Sequence, residues 1–158
     1  MYSHACWLNN SINTQNARRA IKQAVKELKE KGVEFDTVAF SGMSGALFAP
    51  VLAHKMSKEM ILVRKPQRDE MRHSSHDQEG YSDAERVLIV DDICSSGKTV
   101  ERIMEGVKKF APRAKFVGAY FYANGAGCSD SPKGFVKDIV VGCLHFKVAS
   151  EEETCVTP

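Results

Sequence analysis

The chain has 158 residues, the size of one domain with a substantial core. Its 22 basic and 20 acidic residues leave a formal net charge of +2, which gives no reason to expect a nucleic acid or a membrane surface as partner. The five cysteines are scattered without a C-x-x-C pair, so reduced thiols are favoured over a disulfide framework or a zinc knuckle. There is no signal-peptide pattern and no apolar stretch of the roughly 20 residues that a membrane helix needs, so we expect a cytoplasmic protein.

Hydrophobic periodicity predicts strands that alternate with helices. In chain order the predicted elements are a helix at 17–28 capped by Asn13 or Thr14, a strand at 37–40, a tight loop at 41–45, a helix at 46–56, strands at 60–63 and 87–90, a loop at 91–97, a helix at 98–110, a strand at 115–122 and a strand around 138–141. This order is typical of an α/β fold with a doubly wound, mostly parallel sheet. Ligands of such sheets bind beyond the carboxyl ends of the strands.

Residues 66–85 are almost wholly polar and show no periodicity. Loops beyond about 12 to 15 residues are usually binding loops, or else disordered. We therefore predict a mobile loop here.

The most informative segment is residues 87–99, V-L-I-V-D-D-I-C-S-S-G-K-T. An apolar strand delivers two adjacent carboxylates, Asp91 and Asp92, to a small polar loop that leads into a helix. Backbone N–H groups of such a loop, with the positive end of the helix dipole, bind a phosphate. Adjacent carboxylates repel each other unless donors or a cation lie beside them, and sugar hydroxyls with hydrated Mg²⁺ would meet that need. The candidate phosphate-binding residues are Ser95, Ser96, Gly97, Lys98 and Thr99.

This segment has two other interpretations. Its last three residues match a Walker A loop, but Asp92 occupies the position of the first glycine and would place a carboxylate against a nucleotide polyphosphate. Asp91 and Asp92 could also serve as caps of the following turn and helix. A phosphate loop attached directly to a carboxylate pair favours a ligand site over either alternative.

The V-L-I-V-D-D-x-x-S-S-G-K-T pattern resembles the fingerprint of the type I phosphoribosyltransferases. The resemblance implies that Asp91 and Asp92 bind the ribose hydroxyls of 5-phosphoribosyl-1-pyrophosphate, and that residues 95–99 cradle its 5′-phosphate. It also implies Mg²⁺ as cofactor. We expect one phosphoribosyltransferase domain over 1–158, with a core at about 33–122 and a hood, the part that covers the base, from the N-terminal segment and about 123–149.

A second anion site is predicted after the first core strand. Small residues let backbone amides approach an anion closely, and the run resembles the pyrophosphate loop of the same family. Its residues are Ser41, Gly42, Met43, Ser44 and Gly45. Arg64 and Lys65 end the next strand and are expected to contact pyrophosphate at the same edge of the sheet.

The polar segment resembles the flexible catalytic loop of the family, which closes over the reacting centre. Its candidate residues are Arg68, Arg72, His73, Ser74, Ser75 and His76. The alternative of a metal pair from His73 and His76 lacks the further ligands that a closed site needs. Aromatic rings that could stack on a base are those of Trp7, Phe121 and Tyr122, beside the 123–130 loop.

These features predict transfer of the phosphoribosyl group to a nitrogenous base with release of pyrophosphate. A purine is the first choice of acceptor and orotate the second, because residues 41–50 and the R-K-P segment look most like adenine-type and orphan purine-type members. The resemblance implies a homodimer, and we expect neither a nucleic acid nor a membrane partner. The alternative is a non-catalytic protein that binds the donor as a regulator or interaction partner.

Overall fold

The computed structural model describes residues 13–65, 76–94, 96–123 and 133–137. Within them lie the helices α1 (Thr14–Glu30), α2 (Gly42–Met56) and α3 (Lys98–Phe110) and the strands β1 (Thr37–Ser41), β2 (Glu59–Val63), β3 (Gln78–Gly80), β4 (Arg86–Asp91), β5 (Lys115–Phe121) and β6 (Gly134–Val136). The strands form one sheet in the order β3-β2-β1-β4-β5-β6. β2, β1, β4 and β5 run parallel, while β3 and β6 pair antiparallel at the two edges. The α/β fold with a mostly parallel sheet is confirmed.

Apolar residues cover both faces of the central strands, as expected for parallel strands flanked by helices. On one face, Ala39, Ile61 and Ile89 pack in a cluster with buried residues of α3. On the other face, Val38 and Leu88 pack against α1 and α2. Because α2 and α3 each follow a parallel strand, both helices begin at the carboxyl edge of the sheet.

The helix bounds agree with the periodicity for α3 and approximately for α1. Asn13 caps α1 as predicted, since its side chain accepts a hydrogen bond from the Gln15 amide at 3.0 Å. α3 covers 98–110 as predicted, with Val100, Ile103 and Val107 buried.

The structure corrects the sequence-based prediction at two places and adds a strand that was not predicted. The predicted loop at 41–45 is instead the end of β1 and the first turn of α2, because Gly42, at φ +70°, turns the chain directly from strand to helix. The predicted mobile loop at 66–85 contains β3, which pairs with β2 through Leu62 and Glu79. The strand β6 precedes the one predicted around 138–141, and that predicted strand lies outside the described residues.

The carboxylate of Glu27 connects α1 to the last two strands of the sheet. It accepts hydrogen bonds from the Phe135 amide at 3.0 Å and from the Tyr120 hydroxyl at 3.4 Å, and Lys31 Nζ lies 3.1 Å away. Glu27 is therefore the acceptor that satisfies the amide of an edge strand.

Replacing Glu27 with alanine is expected to lower the free energy of unfolding by about 2 kcal/mol, because the Phe135 amide and the Tyr120 hydroxyl lose their acceptor. Urea unfolding at neutral pH measures the effect. Glu30→Ala is the matched control, since Glu30 pairs with Lys26 at 3.7 Å on the exposed side of the same helix and should cost less than about 0.5 kcal/mol. Equal losses in the two variants would show that the Glu27 contacts are energetically unimportant.

Candidate active site

Two buried carboxylates lie at the carboxyl end of β4. Asp91 is 3% exposed and Asp92 is 6% exposed. Asp91 Oδ1 accepts hydrogen bonds from the Asp92 amide at 2.9 Å and from Ser44 Oγ at 3.2 Å. Asp92 Oδ1 accepts one from the Ile93 amide at 2.7 Å. The pair is therefore held by the turn after β4 and by the first turn of α2.

Burial and the neighbouring carboxylate change the acidity of Asp91. Burial raises the pKa of Asp91 to about 7, and the hydrogen bond with Asp92 and the negative charge of Asp92 contribute in the same direction. The Asp92 amide and the Ser44 hydroxyl oppose this shift only in part. The negative charge of Asp91 is therefore only partly compensated. A cation or hydroxyl donors beside it would stabilise its ionised form.

The start of α2 lies next to this pair. α2 begins at Gly42 and has no acidic side chain in its first turn, so its unpaired N–H groups present positive potential at the edge of the sheet. The Ser41 hydroxyl, at the end of β1, is buried and has no hydrogen-bond partner within the described residues. A buried hydroxyl left in this way costs about 1–3 kcal/mol, which is typical of a site that a ligand completes.

The two basic residues after β2 have different surroundings. A Cβ atom built on Gly42 would lie 3.0 Å from Lys65 Cε and 3.4 Å from Lys65 Nζ, so the Lys65 side chain crosses the start of α2. Arg64 Nη2 instead contacts both carboxylate oxygens of Glu79 on β3, at 3.0 and 2.9 Å. The structure brings Lys65 to the predicted anion site and pairs Arg64 with the edge strand.

The segment between β4 and α3 brings a second helix start to the same edge. Gly97, at φ +73°, is the N-cap residue of α3, a conformation that favours glycine. Arg102 Nη2 donates to Thr99 Oγ1 at 3.4 Å, which adds a cation to the first turn. Ser95 lies outside the described residues.

Cys94 lies in this segment but is not a candidate nucleophile. It is buried, and its burial raises the pKa of the thiol to about 11. The thiol therefore stays protonated at neutral pH, and the thiolate is the nucleophilic form.

The two aromatic residues at the end of β5 differ in position. Phe121 is 1% exposed and packs in the core beneath α3, so its ring is not available to a base. Tyr122 is half-buried, donates from its hydroxyl to the Ser44 carbonyl at 2.9 Å and stacks on Phe48 at 4.2 Å. Sequence reasoning missed Phe48, Arg102 and the link through Ser44 to Asp91, for which no local pattern gave a signal.

An open groove of about 930 Å³ runs between α1 and α2 and ends beside the site. Ile21 and Val25 of α1 line it together with Leu47 and Val51 of α2. Tyr122 and Ala123 line it as well, at the carboxyl edge of the sheet. The groove therefore includes Ala123, the first residue of the 123–149 part of the predicted hood.

Comparison with known proteins identifies the family. Residues 9–151 match the family model described as the phosphoribosyl transferase domain. The chain belongs to that family.

The relatives of this phosphoribosyltransferase include proteins named for adenine and proteins named for orotate. An adenine phosphoribosyltransferase of Ruminiclostridium cellulolyticum is 28% identical over 143 residues, covering 82% of this chain and 84% of the relative. An orotate phosphoribosyltransferase of Pyrococcus furiosus is 31% identical over 101 residues, covering 62% of this chain and about half, 54%, of the relative. The crystal structure of an adenine phosphoribosyltransferase from Saccharomyces cerevisiae has a TM-score of 0.55 at 24% identity, covering 70% of this chain and 69% of that one, and supports the fold alone.

The remaining predicted residues of the phosphoribosyltransferase are placed as follows. His76 is exposed just before β3, whereas Arg68, Arg72, His73, Ser74 and Ser75 lie outside the described residues, as do Trp7 and the 124–130 part of the predicted base loop. In the parts of the chain that the structure describes, no helix combines the length and the apolar character needed to cross a membrane.

The donor set of the site fits the Mg²⁺ that the family implies. The described residues contain no group of three or more His, Cys, Asp and Glu side chains placed to hold a metal by themselves. Mg²⁺ in phosphate-binding enzymes usually has one or two carboxylates, waters and substrate phosphate oxygens as ligands. Asp91 and Asp92 supply hard oxygen atoms for such an ion, through water or ribose hydroxyls, next to the starts of α2 and α3.

Proposed function

We propose that this phosphoribosyltransferase transfers the phosphoribosyl group from 5-phosphoribosyl-1-pyrophosphate to a nucleobase and releases pyrophosphate. A purine is the favoured acceptor and orotate the second, and relatives named for adenine and for orotate support this pair. One observation carries the proposal. The buried Asp91 and Asp92 lie at an edge of the sheet where two helices begin, so a diol can be held beside two anion sites.

Each part of the donor has a proposed partner in the chain. Asp91 and Asp92 accept hydrogen bonds from the ribose 2′- and 3′-hydroxyls. The N–H groups of residues 42–45 and the Lys65 ammonium bind the pyrophosphate, with Ser41 beside them. The 5′-phosphate is bound by the loop of residues 95–99, whose described members are Ser96, Gly97, Lys98 and Thr99.

In the proposed reaction a base nitrogen forms a bond to C1 of the ribose as the bond from C1 to the pyrophosphate oxygen breaks. Positive charge develops on the sugar, and the carboxylates of Asp91 and Asp92 lie on that side of the ligand. Negative charge accumulates on the leaving group, where the start of α2 and Lys65 stabilise it. When bound, Mg²⁺ would supply further neutralisation of the pyrophosphate oxygens.

A homodimer is also proposed for this protein. Met43, Leu47 and Val51 are exposed and recur every four residues, so they form an apolar stripe along α2. Leu47 and Val51 also line the groove between α1 and α2, so the second chain of the proposed dimer would cover that groove. We further propose that the protein acts in the cytoplasm.

A pyrophosphate-release assay tests the function, with the donor, Mg²⁺ and a panel that includes adenine, hypoxanthine, guanine, xanthine, uracil and orotate. Turnover with a purine is expected. Turnover with orotate and with no purine would make orotate the acceptor instead. Donor binding by calorimetry without turnover on any base would favour a non-catalytic binding protein, and no heat from the donor or from ribose 5-phosphate would refute the assigned site.

A further inference from the structure

Ser44 in the first turn of α2 is held from two sides. Its Oγ donates to Asp91 Oδ1 at 3.2 Å, and its carbonyl oxygen accepts a hydrogen bond from the Tyr122 hydroxyl at 2.9 Å. Asp91 ends β4, and Tyr122 follows directly on β5. One residue therefore connects the start of a helix to the ends of two neighbouring strands.

Tyr122 contacts two successive turns of α2. Its ring stacks on Phe48 with the centroids 4.2 Å apart and the planes 2° apart, and Phe48 lies one turn after Ser44. Burial, and then the negative charges of Asp92 and Asp91, raise the pKa of Tyr122 far above neutral pH. The hydroxyl thus stays protonated and remains a donor to the Ser44 carbonyl.

We propose that Tyr122 is a positioning residue, which acts through Ser44 to hold the N–H groups at the start of α2 in fixed register with Asp91. The inference rests on the proposed function, in which those N–H groups bind pyrophosphate and Asp91 binds the ribose. A ligand that contacts both the N–H groups of α2 and Asp91 binds more tightly when the two are aligned. A ligand that reaches only one of them gains little, because a small rotation of the helix start leaves each separate site usable.

At most one face of the Tyr122 ring is left for a base, so the test has to distinguish positioning from base stacking. One face of its ring is covered by Phe48, and its hydroxyl is used on the Ser44 carbonyl. A residue that stacked on the base would affect the KM of the base. A residue that aligns the two halves of the donor site affects the binding of the donor.

The test is Tyr122→Phe, which keeps the ring and removes the hydroxyl. Tyr120→Phe is the matched control, because Tyr120 is also near Phe48, with centroids 6.3 Å apart, but its hydroxyl faces Glu27. Calorimetry with Mg²⁺ measures the affinities for 5-phosphoribosyl-1-pyrophosphate, ribose 5-phosphate and pyrophosphate. Tyr122→Phe is expected to weaken donor binding about ten-fold, the value of one lost hydrogen bond, and to weaken binding of the two fragments less than about three-fold. Tyr120→Phe should leave donor affinity within about two-fold.

The double variant Tyr122→Phe with Ser44→Ala adds a second measurement. If both residues act through one link, the combined loss of donor affinity is smaller than the product of the two single losses. Independent losses, equal effects of Tyr122→Phe and Tyr120→Phe, or a change confined to the KM of the base would each overturn the inference. If the unaltered protein binds both fragments but not the donor, the inference fails together with the proposed function, whereas normal donor binding in all variants refutes the inference alone.

Discussion

Replacing Asp91 with asparagine is expected to weaken binding of the donor in the presence of Mg²⁺ by about 100-fold or more, and yet to stabilise the ligand-free protein above pH 7. The loss follows because the ionised carboxylate accepts charge-assisted hydrogen bonds from ribose hydroxyls, and an amide offers only one neutral acceptor. The gain in stability follows because this carboxylate is buried beside Asp92.

The sign of the stability change follows from the pKa of Asp91. This pKa is about 7 in the folded protein against an ordinary value of 3.8, so between these pH values the folded state binds more protons than the unfolded state. Asp91 therefore stabilises the fold fully below about pH 4, and this stabilisation is lost as the pH rises through about 7. A pKa difference of roughly three corresponds to about 4 kcal/mol as an upper figure. The asparagine side chain of the variant has no charge to desolvate and so avoids this loss.

Thermal unfolding at pH 5 and pH 8, without ligand, measures the effect. Asp91→Asn should raise the melting temperature relative to the unaltered protein at pH 8 by more than at pH 5. Asp83→Asn is the matched control, because Asp83 pairs with Arg113 at 3.4 Å on the surface and should change neither property. A lower melting temperature at pH 8 would show that burial of the Asp91 carboxylate does not destabilise the fold, and unchanged donor affinity would refute its proposed contact with the ribose.

Local sequence patterns were sufficient for the elements that carry the core. The 3.6-residue period of residues 98–110 predicted both ends of α3, and the apolar run at 87–90 predicted all but the terminal residues of β4. The apolar side chains of α3 and β4 are the ones that the fold buries, so the sequence pattern and the observed burial coincide. The carboxylate pair was predictable for the same reason, since a buried strand must end at the carboxyl edge.

Other features depend on contacts between distant segments, and no local pattern encodes them. β3 has the sequence Q-E-G and becomes a strand because it pairs with β2, which also brings Glu79 to Arg64. The start of α2 was predicted as a loop because serine and glycine favour turns, but a single positive φ at Gly42 suffices to begin the helix. The link from Tyr122 through Ser44 to Asp91 spans three elements and is visible only in the fold.

The different surroundings of Arg64 and Lys65 lead to the second prediction. Lys65→Ala is expected to weaken pyrophosphate binding in the presence of Mg²⁺ by about 10- to 100-fold, because a charge-assisted hydrogen bond contributes about 1.5–3 kcal/mol. The side chain of Lys65 crosses Gly42, so its ammonium lies beside the N–H groups of α2 that are proposed to bind the anion.

Arg64→Ala is the matched control for Lys65→Ala, since it removes one positive charge from the neighbouring position. Arg64 is already neutralised by Glu79, in an ion pair with an N–O distance of 2.9 Å, so pyrophosphate affinity should fall less than about three-fold. Product inhibition by pyrophosphate, measured at low and high salt, distinguishes local binding from the general loss of a charge, because a screened long-range effect disappears at high salt. Equal losses in both variants at high salt would mean that Arg64 leaves Glu79 to bind the anion, and the division of roles between the two residues would be wrong.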